Sequence, residues 1–320
     1  MDRSISRSEA LQHCVMKTKV PSAGEPYRGK VREVYTLNDE TLGMVVTDRI
    51  SAFDHIMRQP IPFKGQILNQ LSAYNFKKVN ELVTTHLIDL PHPNVTIARK
   101  CDPIPVEVVI RSCLTGHAWR VYKSGRRELC GVPLPDGMVK NEMFDVPIMT
   151  PATKAKEGHD EDISEKEILE RGIVDRLLWE EIRNTAFNIF RRGQQIATDR
   201  GLILVDTKYE FGIFGDNLVL IDEVHTPDSS RYFYADEYEE RLRKELPQKQ
   251  LSKEFLREWL MDQGFQGKEG QQLPDLPDDL RWEIFERYAE LYQQLTAEPF
   301  EPTIVTDIDE ELAEIFKKYR

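Results

Sequence analysis

The stretch LILVDTKYEFG (residues 202–212) decides how this chain folds. By the two-residue period of a strand, Asp206, Lys208 and Glu210 share one face, and Ile203, Val205, Thr207 and Tyr209 share the other. A face carrying Asp, Lys and Glu in succession is costly inside a core and unnecessary for forming a strand. A second apolar strand, LVLIDEV (218–224), follows the turn residues Gly215, Asp216 and Asn217, which makes a hairpin. If the loop is centred near Asp216, Glu210 and Asp222 become cross-strand neighbours, about 5 Å apart at Cβ. Facing carboxylates repel unless a cation lies between them or one is protonated. Hard oxygen ligands favour Mg²⁺, which combines one or two carboxylates with substrate phosphates, so Glu210 and Asp222 are the candidate metal ligands. The alternative is a solvated edge on which Lys208 balances the acids.

Outward from the hairpin, short apolar runs at 31–37 and 42–48 read as strands around a polar turn, and 66–79 reads as a helix. Pro103 and Pro105 force an extended crossing at 101–105, the expected hinge between two lobes. A strand at 106–111 and a short helix at 115–122 follow, then an irregular stretch at 124–163 rich in Gly and Pro. Ser164 with Glu167 forms a capping box that opens a helical region running to about residue 199, with a break near Gly172. Charged helices are expected at 235–246, 252–263, 278–296 and 306–319. Strands first and helices later imply an α+β fold of antiparallel sheets rather than a doubly wound parallel sheet. The expected division is 1–105, 106–245 and a helical 246–320.

The net charge of −12 argues against a general nucleic-acid binder, which needs a basic surface. No apolar run approaches the roughly 20 residues of a membrane span, and the first twenty residues lack the apolar core of a secretory signal. Cys14, Cys101, Cys113 and Cys130 have no metal-site spacing and read as free thiols of a reducing compartment, so the expected address is the cytosol. Oligomeric state is left as monomer or small homo-oligomer.

Six further segments carry candidate chemistry. In YRGKVREVY (27–35), Gly29 permits close backbone approach while Lys30 and Arg32, flanking Val31, supply charge; such a loop can lie over a triphosphate, although a basic surface hairpin looks the same. In TDRISAFD (47–54) a strand runs into Asp48, Arg49, Ser51 and Asp54, which can reach a ligand or simply cap a turn. Lys64 and Gly65 offer a cation beside flexible backbone. In RSCLTGH (111–117) a strand end meets a helix start, where Arg111, Thr115 and backbone amides can hold a phosphate. In TKAKEGHD (153–160) Lys154 can meet phosphate, and His159 with Asp160 can orient a substrate or form a structural pair. DEVHTPDSSR (222–231) places Arg231 near the same end of the sheet.

Together these segments resemble the SAICAR synthetase family, the phosphoribosylaminoimidazole-succinocarboxamide synthases of purine biosynthesis. LVDTKYEFG (204–212) looks like the family's second signature and PVEVVIRSCLTG (105–116) like its first; TDRISAFD, Lys64-Gly65 and DEVHTPDSSR agree as well. One position departs: the first signature normally closes with Gly-Ser, and here His117 follows Gly116. The resemblance implies two lobes with a kinase-like ATP cleft and the reaction CAIR + L-aspartate + ATP → SAICAR + ADP + phosphate, with ATP and Mg²⁺ as cofactors. It implies that Gly29, Lys30, Val31 and Arg32 cover the ATP phosphates, that Ile104 in the crossing borders the adenine, and that Lys154 lies near the transferred phosphate. Arg111, Thr115 and Arg231 would bind the phosphate of CAIR, with either His117 in the serine's place or Thr115 and the backbone sufficing, and Asp206 and Lys208 would lie near its carboxylate and ring. Ser51, Asp54, Lys64, Gly65, His159 and Asp160 would shape the CAIR and aspartate pockets. Two other classes remain at this point: a lipid- or inositol-phosphate-type kinase, which needs no amino acid, and a non-catalytic nucleotide-binding protein.

Overall fold

The structure is a computed structural model that describes residues 5–154 and 161–320. His159 and Asp160 therefore lie outside the described residues. In chain order the principal strands are β1 (Tyr27–Arg28), β2 (Arg32–Thr36), β3 (Thr41–Val46), β4 (Leu87–His92), β5 (Val95–Arg99), β6 (Asp102–Cys113), β7 (Met143–Met149), β8 (Leu202–Phe214), β9 (Asn217–Ile221) and β10 (Ser230–Tyr234). The principal helices are α1 (Lys64–Val79), α2 (Gly116–Lys123), α3 (Glu165–Glu170), α4 (Arg176–Thr198), α5 (Glu254–Asp262), α6 (Asp278–Thr296) and α7 (Ile308–Phe316). The mixture is α+β with antiparallel sheets, as expected. No helix among the described residues is long and apolar enough to cross a membrane.

The chain divides into two compact units, each discontinuous in sequence. One comprises Met1–Tyr74, His86–Lys100 and Leu251–Arg320; the other comprises Asn75–Thr85 and Cys101–Gln250. The units change over at Lys100 and Cys101, and Leu251–Arg320 falls in the first of them. Its helices carry apolar stripes that require cover. Leu256, Leu260, Leu280, Ile284 and Tyr288 share a core with Val46, Ile50, Ile61, Ile67 and Leu68. Leu312 and Phe316 of α7 pack with Tyr35, Val45, Val95 and Ile97.

In the first unit the strands form an antiparallel sheet in the order β1-β2-β3-β5-β4. Gly43 on β3 lets the Phe316 ring come close to the sheet, since a Cβ there would sit 2.5 Å from the ring. Asp48, just past β3, ties the start of α1 to the N-terminal segment: its carboxylate accepts from Gly65 N at 2.8 Å and Val15 N at 2.7 Å.

In the second unit the order is β7-β6-β8-β9, with β10 also on β8 and the short segment Thr84–Thr85 parallel to β9. The 101–105 crossing is built as the start of β6, and β8 is irregular between Glu210 and Gly212, opposite its prolines. Proline cannot donate to a ladder, so a break in register at that point is the natural accommodation. The stretch 124–163 is less irregular than expected, because it holds β7 and a hairpin of Glu128–Leu129 with Val132–Pro133. Burial along β7 does not alternate, which hid the strand from its sequence pattern. The capping box is present, with Ser164 and Glu167 bonding reciprocally at the start of α3. Gly172, at φ 64°, separates α3 from α4.

Candidate active site

The site of the second unit is laid out along β8. Its antiparallel register with β6 sets Asp206 opposite Arg111, Lys208 opposite Val109 and Glu210 opposite Glu107, and β10 sets Arg231 opposite Asp206. Directly opposed residues share a face, so two charged groups form on one side of the sheet.

The first group is centred on Asp206. Its Oδ2 lies 3.2 Å from Arg111 Nη1 and 3.4 Å from Arg231 Nη1. Arg111 Nε donates to Thr150 Oγ1 at 2.9 Å. Burial lowers the pKa of Arg111, and Asp206 opposes that shift. Two guanidinium groups face one carboxylate, a surplus of positive charge suited to an anion. They meet the N-terminus of α2: Gly116, at φ 54°, has no Cβ, and a Cβ there would run into the Arg231 guanidinium. Thr115 occupies the N-cap position without using its hydroxyl as a cap. His117 follows, its Nε2 2.8 Å from Asp162 Oδ2. That hydrogen bond is the main reason the Asp162 carboxyl is held below its usual range.

The second group is centred on Lys208. Its Nζ lies 2.5 Å from Glu210 Oε1, 2.8 Å from Glu107 Oε1 and 4.0 Å from Asp222 Oδ2. The other Glu210 oxygen is bound by Lys154. Burial alone would lower the Lys208 pKa, yet Glu210, Glu107 and Asp222 together carry it well above its ordinary value. Burial would likewise raise Glu210, but Lys208 and Lys154 outweigh it and bring its carboxyl down to about 2. Lys154 is raised: burial opposes, and Glu210 and then Asp222 prevail.

The expected pairing of Glu210 with Asp222 is replaced by Glu210 with Ile221. The hairpin turn has two residues, Gly215 and Asp216, between the paired Phe214 and Asn217, with Gly215 at φ 60°. That shortens the loop by one residue, and a one-residue slip reverses which face a strand residue meets. Asp222 nevertheless reaches the site because β9 ends at Ile221 and Asp222 adopts φ 64°.

In the first unit, Gly29 N donates to Arg32 O at 2.8 Å, closing the loop between β1 and β2, and Lys30 pairs with Asp54. Val31 is half-buried, and Ser51 is buried in a two-residue strand. Asp54 lies in a tight turn at φ 63°. Lys64 is fully buried, with Nζ 6.0 Å from the Tyr288 ring centroid, and a Cβ on Gly65 would run into Val46 O. Both residues are thus built into the core of their unit. Ile104, in the second unit, is buried on β6.

Glu107 and Asp162 escaped sequence reasoning. Glu107 did leave a signal, as a lone acid at even spacing from Arg111 in an otherwise apolar strand.

A protein-family model described as SAICAR synthetase matches residues 25–273. A Bacteroides thetaiotaomicron phosphoribosylaminoimidazole-succinocarboxamide synthase is 50% identical over 293 residues, covering 91% of this chain and 93% of that protein. Among solved structures, the SAICAR synthase of Saccharomyces cerevisiae complexed with SAICAR aligns with a TM-score of 0.76 at 32% identity, covering 90% of this chain and all (100%) of that one. A SAICAR synthetase in complex with ADP aligns with a TM-score of 0.66 at 26% identity, covering 87% of this chain and 100% of the other. The matched segment runs through both the glycine loop and the charged face of β8, and with half the residues shared over nine-tenths of its length, this chain belongs to the SAICAR synthetase family.

Proposed function

We propose that this chain is an ATP-dependent carbon–nitrogen ligase that joins the amino group of L-aspartate to the carboxylate of CAIR, giving SAICAR, ADP and phosphate. The observation that carries this reading is the ordered charge on one strand face, with Asp206 between Arg111 and Arg231 and Lys208 among Glu107, Glu210 and Asp222. From residue 206 to 210 that face spans roughly 13 Å at the ordinary rise of a strand. An anion site at one end and a lysine–carboxylate cluster at the other suit a phosphorylated substrate whose carboxylate must be activated. The relatives carry the synthase name, and solved relatives hold SAICAR or ADP.

Arg111, Arg231, Thr115 and His117 would hold the substrate phosphate, with Asp206 fixing the two guanidinium groups. Lys208 and Lys154 would neutralise the charge that gathers where carboxylate and γ-phosphoryl meet. Gly29, Lys30, Val31 and Arg32 would cover the ATP phosphates and Ile104 would border the base. Ser51 and Asp54 would shape the remaining pockets, and Lys64 and Gly65 would support them.

A carboxylate cannot expel oxide, so it needs a better leaving group. The carboxylate oxygen takes the γ-phosphoryl group of ATP as the bond to ADP breaks, forming an acyl phosphate. The aspartate amine then attacks the acyl carbon, a C–N bond forms, the C–O bond to phosphate breaks, and the amine proton is lost. This chemistry asks the protein for positioning and charge neutralisation rather than a nucleophile.

Glu210 and Asp222 fit Mg²⁺. They offer hard oxygen donors, Glu210 is held ionised, and its oxygens already bind the cationic ends of Lys154 and Lys208. When bound, the ion would align and screen the phosphate oxygens. The four cysteines are free thiols, and burial pushes Cys14, Cys113 and Cys130 up to about 12. That accords with a reducing compartment, and we place the enzyme in the cytosol.

The test is ADP release measured with CAIR, with and without L-aspartate. Rapid release that requires both is expected. Equal release without aspartate, on a hydroxyl acceptor, would overturn the ligase reading in favour of a kinase.

A further inference from the structure

Arg49 belongs to a segment whose polar residues can reach a ligand or cap a turn, and its side chain turns inward and is buried. Its Nε donates to Lys30 O at 3.0 Å, and Nη2 donates to Gly29 O at 3.0 Å and Arg32 O at 3.5 Å. Nη1 donates to Met16 O and to Glu33 Oε1, the latter at 3.0 Å. The one carbonyl of 29–32 left over, that of Val31, accepts from Thr47 N at 2.9 Å and Thr47 Oγ1 at 2.8 Å. All four carbonyls of the loop are therefore engaged by two neighbouring residues, Thr47 and Arg49.

The charge that does this is balanced from below. Glu33 is fully buried and accepts from Thr18 N at 2.8 Å and Thr18 Oγ1 at 2.6 Å, and pairs with Arg28 at 2.7 Å. Burial would raise its carboxyl, but these partners hold it below the usual range. A guanidinium is the one side chain whose planar fork can serve several carbonyls at fixed angles. A lysine ammonium is a point donor and cannot span them.

We infer that Arg49 is the positioning residue of the glycine loop. By drawing the carbonyl oxygens of 29–32 to one side, it removes their partial negative charge from the other side. That side is left with Lys30, which pairs with Asp54, as the charge to meet a polyphosphate. The inference rests on the reading that this loop binds the ATP phosphates.

The experiment measures MgADP binding by calorimetry and amide hydrogen exchange without nucleotide, in wild type, Lys30→Ala and Arg49→Lys. Arg49→Lys is expected to weaken MgADP by about tenfold or more, for two lost charge-assisted bonds. It should speed exchange across 27–33 while leaving exchange in the rest of the unit, and CAIR binding, as in wild type. If Arg49→Lys does not fold, Thr47→Val, which removes the Oγ1 bond to the Val31 carbonyl and keeps the one from Thr47 N, is expected to give the same loop-confined exchange with a smaller loss of affinity. Wild-type affinity and loop exchange in Arg49→Lys, beside weakened binding in Lys30→Ala, would overturn the inference. Faster exchange throughout the unit would overturn it too, as the mark of a merely structural arginine. Unchanged MgADP binding in Lys30→Ala would instead sink the reading of the loop as a phosphate site.

Discussion

Lys208 is surrounded by Glu107, Glu210 and Asp222, and its side chain is only 28% exposed. Removing its charge leaves three carboxylates converging with Lys154 as the remaining cation named among them. Lys208→Met is therefore expected to cost roughly 3 kcal/mol, as for a broken buried pair, read from urea unfolding. Glu210→Gln and Asp222→Asn act on the proposed ion instead. Each should lower turnover by about a hundredfold or more, on the scale of a lost electrostatic stabiliser, and raise the Mg²⁺ concentration for half-maximal rate. Near-wild-type Mg²⁺ titrations for both would remove the metal assignment. His117 tests the departure from the family signature. Its pair with Asp162 is well exposed, and such pairs contribute little to stability. His117→Ala should leave the melting midpoint almost unmoved and raise the KM for CAIR several-fold, and an unchanged KM would place His117 outside the phosphate site.

Elements show where sequence reasoning holds and where it stops. Local signals were legible: the alternation along β8, the turn after it, the capping box of α3 and the break at Gly172 all act through neighbours within a few residues. Pairing between distant segments was not. Nothing in 202–212 states that β6 and β10 flank it, so the convergence of Arg111 and Arg231 on Asp206, and the presence of Glu107, had to come from the sheet. The hairpin register was missed by one residue because Gly215 permits a two-residue turn. Charge density concealed the role of the C-terminal helices, whose apolar stripes complete the first unit. Phe316 carries that point: it lies against Tyr35, with ring centroids 5.2 Å apart, and over Gly43. Phe316→Ala should cost about 3–5 kcal/mol, measured by chemical denaturation. A loss below about 1 kcal/mol would show α7 to be dispensable to that core.

For the molecule as a whole, pH reaches stability through buried groups. His225 donates or accepts at Tyr209 Oη, 2.7 Å away, and burial lowers its pKa from 6.5 to about 3. A group depressed on folding stabilises above its unfolded pKa, and that contribution is lost as pH falls from 6.5 towards 3. Asp48 runs the other way: burial raises it from 3.8 to about 6, so its contribution is present below 3.8 and lost as pH rises through 6. Between about pH 6 and 4 the two contributions oppose each other, so the histidine is read by substitution. His225→Asn, which tolerates the φ of 56° there, isolates the effect. The gap between wild type and variant should narrow as pH falls, and a constant gap would contradict the assignment.

The interleaved composition of the two units bears on synthesis. Residues 75–250 must leave the ribosome before Leu251–Arg320 can join Met1–Tyr74, apart from the short return of His86–Lys100. At about 5–20 residues per second, that is a delay of roughly ten to forty seconds. Meanwhile Val46, Ile50, Ile67 and Leu68 of the nascent chain lack the helices that will cover them. A holding chaperone has its natural opportunity in that interval, and a circular permutant translating 251–320 directly ahead of residue 1 would abolish it.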